Sequence, residues 1–313
     1  MNNDLSLALA TLRSDPEDSQ ALARFAGLHP GQASASERDA VLVALATERS
    51  WHVDRENVEM GLLLLDQELA WAHDPVRRAT LFVEKARLLH REMCRWEEAH
   101  ACTDEALEIV RNHPAAVELK RLLDEEEAGW QERAETLVTQ AKEAGDTPAA
   151  GSLLAAAGEL YLRFRPLTDE GETLLRRSLE LDARQHRADV LLERVLRSAS
   201  RWKELAVHLK RRIEVAGTSQ DQAAAHAAAG RLAEQIKHFD QALEHYRQAL
   251  AIVPSQERAL LGIARLLGAR EEWGALAKLY EAALRSLKRG ANEGPILMAL
   301  GEIYWKHLDQ MDE

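Results

Sequence analysis

Residues 223–254 of this chain read AAAHAAAGRLAEQIKHFDQALEHYRQALAIVP. An alanine-rich stretch from Ala224 to Gln235 is followed, after a short polar turn, by a second helical stretch from Gln241 to Leu250. Proline cannot continue a helix, so Pro254 ends the second stretch. The segment therefore predicts a hairpin of two short antiparallel helices.

Small residues lie where the two predicted helices would cross. Gly230 in the first helix and Ala242 in the second let the backbones approach closely. We expect the ring of Tyr246 to fill the gap beside them.

The same layout recurs along the chain, with an apolar and usually aromatic residue at the turn between paired helices. These turn markers are Trp96, Trp130, Leu167, Trp202, Phe239 and Trp273, with weaker outliers at Val58 and Met311. Successive markers are separated by 38, 34, 37, 35, 37, 34 and 38 residues. A period of this length predicts an all-α solenoid of antiparallel helical hairpins, in which the marker tryptophans pack between hairpins. Trp51, Trp71 and Trp305 fall outside this register, which leaves one of the three open as an exposed interaction anchor.

The hairpin at residues 223–254 resembles the tetratricopeptide repeat family. Five of the family's eight usual positions are matched, by Gly230, Ala242, Tyr246, Ala249 and Pro254. The hairpin departs from the pattern where larger apolar or aromatic residues are typical, at His226, Ala229 and Ala233.

Other repeats match the family to different degrees. The stretches 157–161 (AGELY) and 300–304 (LGEIY) resemble its first helix. The hairpin around Trp202 departs further, with Glu193 where a glycine is usual and Arg212 in place of an alanine. The resemblance covers repeats of 34 to 38 residues. It implies a right-handed superhelix with a concave groove that holds peptides.

Composition argues against several other classes of protein. Forty Lys and Arg residues against 52 Asp and Glu residues give a net charge of −12, which disfavours binding to nucleic acid. We find no glycine-rich phosphate loop, no Gly-x-Ser-x-Gly elbow and no Cys-x-x-Cys pair, so no cofactor and no catalysis are expected within the chain. No apolar run approaches the roughly 18 residues of a membrane span, and two cysteines cannot form a disulfide framework. The sequence predicts a reduced, cytoplasmic protein.

Two segments are expected along the chain. Residues 1–35 are predicted to form an N-terminal helical cap and linker, and residues 36–313 the repeat array. The array would begin at Ser36, with Asp39 three residues on completing a plausible cap.

The last hairpin is predicted to be incomplete, because its second helix would begin only at Met311. A first helix without its partner would expose an apolar stripe of Leu297, Leu300 and Tyr304. Either the chain continues in a longer protein, or a partner or a second copy covers this end by association with the unfinished hairpin.

One cluster of residues carries the donor types of a metal site: His90, Cys94, His100 and Cys102. His90 and Cys94 are four residues apart, on one helix face, and nitrogen and sulfur donors suit zinc. His100 and Cys102 are two residues apart and point to different sides of their helix, which argues against a shared ion. We therefore assign no metal and keep the cluster as a weak candidate.

A row of arginines suggests a binding surface in the C-terminal half. Counting back eight residues from a marker gives Arg194, Arg231 and Arg265; counting back fifteen gives Arg187 and Arg258; and Arg197 lies one helical turn beyond Arg194. Family resemblance places these positions in the groove. A guanidinium row would suit an acidic peptide or a C-terminal carboxylate. The alternative is that arginine is a good helix former on a solvated face.

Three readings of the function remain open at this point. The first is a non-catalytic scaffold that binds partner protein segments in the groove. The second is a helical-repeat RNA-binding protein, which the acidic charge and the lack of aromatics between the arginines disfavour. The third is the regulatory arm of a larger multidomain protein.

Overall fold

The computed structural model describes residues 8–9, 23–25, 27, 34–54, 57–166, 168–286 and 293–308. The chain divides into two compact units, residues 1–181 and residues 182–313. In the part of the chain that the structure describes, every regular element is an α-helix. The expected all-α fold is confirmed.

Between residues 34 and 181 the described part of the N-terminal unit contains seven helices. They are α1 (Ala35–Val53), α2 (Val58–Trp71), α3 (Pro75–Arg91), α4 (Trp96–Ile109), α5 (Pro114–Ala144), α6 (Pro148–Phe164) and α7 (Glu170–Leu181). Three of these helices begin with a proline, which has the φ of the first helical turn and lacks only an N–H that the helix does not use. Asp74, His113 and Thr147 cap the three starts by accepting a backbone N–H bond.

Seven further helices form the described part of the C-terminal unit. They are α8 (His186–Ser198), α9 (Trp202–Val215), α10 (Ser219–Gln235), α11 (Phe239–Ile252), α12 (Glu257–Ala269), α13 (Trp273–Ser286) and α14 (Glu293–His307). No helix in the described ranges of either unit has both the length and the apolarity needed to cross a bilayer.

Five of the turn markers open the second helix of a hairpin, as the repeat predicted. These are Val58, Trp96, Trp202, Phe239 and Trp273, the first residues of α2, α4, α9, α11 and α13. Leu167 and Met311 lie outside the described residues.

Four of these turns share an unusual backbone conformation. The residue two before the marker has a positive φ in each of them: Cys94 (55°), Ser200 (54°), Lys237 (64°) and Glu271 (57°). This left-handed residue reverses the chain at the end of the first helix. In three of the turns the next amide donates to a carbonyl five residues back, from Arg201 to Leu196, from His238 to Ala233 and from Glu272 to Leu267. The turn thus satisfies a carbonyl that the helix end leaves open.

The turn predicted at Trp130 does not exist. Trp130 lies in the middle of α5, a single helix of 31 residues. Between Asp124 and Arg133 the only helix-disfavouring residue is Gly129, and no residue there adopts a positive φ. The two arms of the expected hairpin therefore continue as one helix.

The two halves of α5 pack in different clusters. Leu123, in the first half, lies in a core formed with α2, α3 and α4. Ala141, in the second half, packs with Ala150 and Leu154 of α6. Trp130 lies between these clusters, with its ring stacked on Phe164 at a centroid distance of 5.4 Å. The tryptophan contributes to packing, as expected, but as a spacer along one helix.

The start of the array also differs from the prediction. Helix α1 begins at Ala35, and its N-cap is Ser34. The Ser34 side chain accepts from the Glu37 backbone, and the Glu37 carboxylate accepts from the Ser34 backbone at 2.9 Å. The longer glutamate side chain closes this capping box, which the Ser36 and Asp39 pair does not form. Most of residues 1–33 lie outside the described ranges, but Ala8 and Phe25 are helical and buried beside α1 and α2.

A close helix crossing in the C-terminal unit is built around Tyr246. Its ring lies between Gly230 of α10 and Gly262 of α12. A Cβ atom at Gly262 would lie 2.3 Å from the ring, and one at Gly230 would lie 2.6 Å from it. The predicted role of Gly230 is confirmed, and Gly262 is a second contact that the sequence analysis missed.

Helix α14 is less exposed than its unfinished hairpin suggested. Leu300 and Ile303 are buried in the core of the C-terminal unit, and the Tyr304 hydroxyl donates to Glu281 of α13. Leu297 is 51% exposed and Trp305 is 60% exposed. Only the Leu297 part of the predicted stripe faces solvent, because the preceding hairpin already covers Leu300.

The continuity of α5 can be measured with spin labels at Val117 and Gln140, both exposed, in a chain without its two cysteines. At 1.5 Å per residue a continuous helix places these Cα atoms about 35 Å apart. A hairpin turning at Trp130 would bring them within about 10 to 15 Å, the spacing of packed helices. Pulsed dipolar spectroscopy distinguishes the two distances, and the shorter one would contradict the fold described here.

The Tyr246 crossing predicts opposite effects for two glycine substitutions. Gly262→Ala should lower the free energy of unfolding by about 1 to 3 kcal/mol, because the added methyl group overlaps a buried ring. Gly301 lies in α14 with open space around it, so Gly301→Ala should raise the free energy of unfolding by up to about 1 kcal/mol. Chemical denaturation of both variants checks the pair, and equal effects would argue against close packing at Tyr246.

Candidate functional site

The six predicted arginines all lie on the first helices of hairpins in the C-terminal unit: Arg187, Arg194 and Arg197 on α8, Arg231 on α10, and Arg258 and Arg265 on α12. We call this surface the first-helix face. Helix α10 packs directly on α12. Arg231 and Arg258 are exposed, and the other four arginines are partly exposed.

Arg265 is held inside the protein by a carboxylate of the neighbouring first helix. Its Nε and Nη2 atoms donate to the two oxygens of Glu234, both at 2.6 Å. The Tyr246 hydroxyl donates to the same carboxylate at 3.0 Å. Burial, and then the charge of Glu234, raise the pKa of Tyr246. A bidentate pair of this kind orients both side chains, so Arg265 braces α10 against α12.

Arg197 also has protein partners. Its guanidinium donates to Glu193 on the same helix at 2.7 Å and to Gln235 of α10 at 3.2 Å. Glu193 in turn accepts from Arg212 of α9 at 2.8 Å. Glu193 and Arg212 are the two residues at which this hairpin departs from the family pattern. A charged pair therefore stands where the family has a glycine and an alanine.

A second carboxylate extends this network along α8. Asp189 contacts Nε of Arg212 at 3.0 Å and Nε2 of His208 at 3.0 Å. Asp189 and His208 are mostly buried, so the charge of Arg212 compensates a carboxylate that has lost much of its hydration.

The first-helix face therefore carries carboxylates paired with arginines, and is not a row of cations alone. Sequence reasoning placed the arginines on one face but missed Glu193 and Glu234, the carboxylates that partner Arg197 and Arg265. A signal for Glu234 was present, because it follows Arg231 by three residues and so shares its side of the helix.

The N-terminal unit has a buried ionic centre of its own. Glu68 of α2 is fully buried and contacts Nε of Arg49 on α1 at 2.5 Å and Nη2 of Arg77 on α3 at 3.2 Å. Arg49 also contacts Glu84 of α3 at 2.8 Å. Removing one partner of such a buried pair costs about 3 to 5 kcal/mol, so these residues fix the arrangement of three helices.

The four residues of the weak metal candidate are not brought together. His90 contacts Glu126 of α5 at 2.8 Å, and that hydrogen bond lowers the pKa of the Glu126 carboxyl. His100 contacts Asp104 and Asp124, both at 3.1 Å. Cys94 and Cys102 are buried and form no disulfide, and burial raises the pKa of the Cys102 thiol. Among the described residues no three histidine, cysteine or acidic side chains form a set that could hold a metal.

Charge is distributed very unequally between the two units. Residues 1–181 contain 20 basic and 34 acidic residues, a net charge of −14. Residues 182–313 contain 20 basic and 18 acidic residues, a net charge of +2. The acidic total of the chain therefore says nothing about the first-helix face, which lies in the slightly basic unit.

No protein-family profile matches the chain, and no curated protein matches it. Solved structures of low similarity include Pseudomonas aeruginosa PilF, at 15% identity and a TM-score of 0.39, over 76% of this chain and 89% of that one. A tetratricopeptide repeat protein from Parabacteroides merdae has 14% identity and a TM-score of 0.32, over 84% and 98% of the two chains. The Cut9–Hcn1 hetero-tetramer of the APC/C has 14% identity and a TM-score of 0.36, over 98% of this chain and 60% of the other.

The resemblance to the tetratricopeptide repeat family rests on the hairpins of this chain itself. Small residues follow the marker by three and ten positions in α4 and α11, as Ala99, Ala106, Ala242 and Ala249, and all four are fully buried. Four hairpins share the left-handed turn residue, and Tyr246 fills the crossing that Gly230 permits. These are the features on which the sequence resemblance to the tetratricopeptide repeat family rests, and the described helices have the fold that it implies, all-α with antiparallel helical hairpins.

Proposed function

We propose that this protein is a non-catalytic scaffold that binds a partner polypeptide segment on the first-helix face of its C-terminal unit. The segment would carry acidic side chains or a C-terminal carboxylate, and Arg194 and Arg231 would contact them. The observation that carries the proposal is the repetition of arginine at one position of three consecutive first helices, in the unit that lacks the acidic excess.

The internal ion pairs support this proposal because they distinguish the arginines that hold helices together from those proposed to contact the ligand. Arg265 and Arg197 are bound to Glu234 and Glu193, so their removal would disturb packing as well as any ligand. Arg231 is exposed on the same side of α10 as Glu234. Fixed neighbours reduce the entropy that a side chain loses on binding, which favours recognition at such a position.

The proposal also covers enzymatic activity and cellular location. The described helices carry ion-pair networks with structural partners, and we infer that the chain performs no catalysis of its own. Both cysteines are buried and neither is in a disulfide, as suits a reducing, cytoplasmic environment.

Charge reversal on the first-helix face tests the proposal. Arg194→Glu/Arg231→Glu should weaken capture of partner proteins from the native extract at least tenfold, because two attractive contacts become repulsive. Far-ultraviolet circular dichroism should show the same helical content as the parent protein, since Arg231 is exposed and Arg194 is partly exposed. Proteins and RNA are identified in the captured material.

A matched control carries the same change in charge on second helices. Arg247 of α11 and Lys278 of α13 are both exposed. Arg247→Glu/Lys278→Glu should retain the partners that the first variant loses. If the parent protein and both variants retain the same partner proteins, the first-helix face is not the binding surface. If RNA is captured by the parent protein and not by the first variant, RNA binding is favoured instead.

A further inference from the structure

Two histidines face each other inside the hairpin of α10 and α11. Nδ1 of His226 lies 3.3 Å from Nδ1 of His245. The ring centroids are 5.6 Å apart and the ring planes are inclined by 39°. Both side chains are partly buried, so they are fixed by packing yet reachable from solvent.

The register of the repeat shows that this is a core position in other hairpins. Position 226 lies thirteen residues before its marker and position 245 lies six after it. The same offsets give Leu45 with Leu64, Val83 with Cys102, and Leu260 with Leu279. Five of these six residues are buried, and Leu279 is partly buried. An apolar pair therefore suffices for folding, and the His226–His245 pair needs another explanation.

The preceding hairpin carries a polar pair at the same offsets, Asp189 with His208. The charge of Asp189 is compensated within the protein, because Nε of Arg212 contacts its carboxylate at 3.0 Å. No described ion pair joins a guanidinium or carboxylate to His226 or His245. Glu244 lies near His245 and raises the tendency of that ring to bind a proton.

The surroundings of both rings favour the neutral imidazole. Burial lowers the pKa of His226 and of His245, and the charge of His245 further disfavours protonation of His226. A neutral imidazole carries one nitrogen lone pair that accepts a proton or a metal ion.

The separation of the two nitrogens matches one coordination geometry. Zinc binds imidazole nitrogen at 2.0 to 2.1 Å in a tetrahedron, which places two ligand nitrogens about 3.3 to 3.4 Å apart. Adjacent positions of a square-planar ion at a similar bond length would be only about 2.8 to 2.9 Å apart. We propose that His226 and His245 form an open two-histidine site for a divalent transition-metal ion, with tetrahedral Zn²⁺ as the best fit.

Water completes the coordination of such a site. In the described residues no third histidine, cysteine or acidic side chain joins the pair. Binding should therefore be weaker than at a closed four-ligand zinc site, and protons should compete with it as the pH falls below about 6.5.

Zinc titration of the full chain tests the site. We expect one equivalent of ZnSO₄ to bind at pH 7.5 by isothermal titration calorimetry and to raise the unfolding midpoint. His226→Leu/His245→Leu copies the apolar pair of the other hairpins, so it should fold. It should bind Zn²⁺ at least tenfold more weakly.

A matched control removes two exposed histidines elsewhere in the same unit. His186→Gln/His238→Gln should keep the full zinc affinity, because both rings are exposed and neither is a ligand of the proposed site. Co²⁺ substitution should give the intense visible bands of a tetrahedral ion in the parent protein and the control, and not in the leucine variant. Unchanged zinc binding in the leucine variant, or no zinc binding in the parent, would overturn the proposal and leave a hydrogen bond between the two rings.

Discussion

The reversal of the backbone between paired helices is the constraint on which the rest of this structure depends. A non-glycine residue in the left-handed region costs about 1 to 3 kcal/mol, and the chain accepts this cost at Cys94, Ser200, Lys237 and Glu271. Burial of apolar side chains offsets this cost, because the second helix of the hairpin packs its apolar side against the first helix. Tyr246, held between two glycines, is the clearest product of that return.

Much of the fold could be predicted from the sequence, because hairpin packing imposes a period on it. The marker position, the small residues at crossings and the closing proline each have a local cause that can be read in one repeat. Trp130 keeps the spacing of the markers without the turn before it, so periodicity alone predicts a reversal that the structure lacks. Whether a chain reverses there is decided by tertiary packing, and Gly129 alone costs a helix only about 1 kcal/mol.

The candidate site could be predicted only in part, for a related reason. The arginines on one face follow from helical periodicity, which is local. Their pairing with Glu193 and Glu234 depends on side chains from neighbouring helices, and for Arg265 the carboxylate is 31 residues away. Glu193 and Arg212 illustrate this most clearly. Each departs from the repeat pattern when its own helix is considered alone, and only the structure shows that the two form an ion pair.

Helix α5 has a consequence for how the N-terminal unit unfolds. In an array of separate hairpins, each unit can open on its own, and the stability of the whole is close to a sum over neighbours. A rigid rod shared by two cores removes that independence, because unravelling its middle would expose both Leu123 and Ala141 to water. The two cores at its ends are thereby coupled into one cooperative block, and the hinge that a loop would have provided is absent from this stretch of the array.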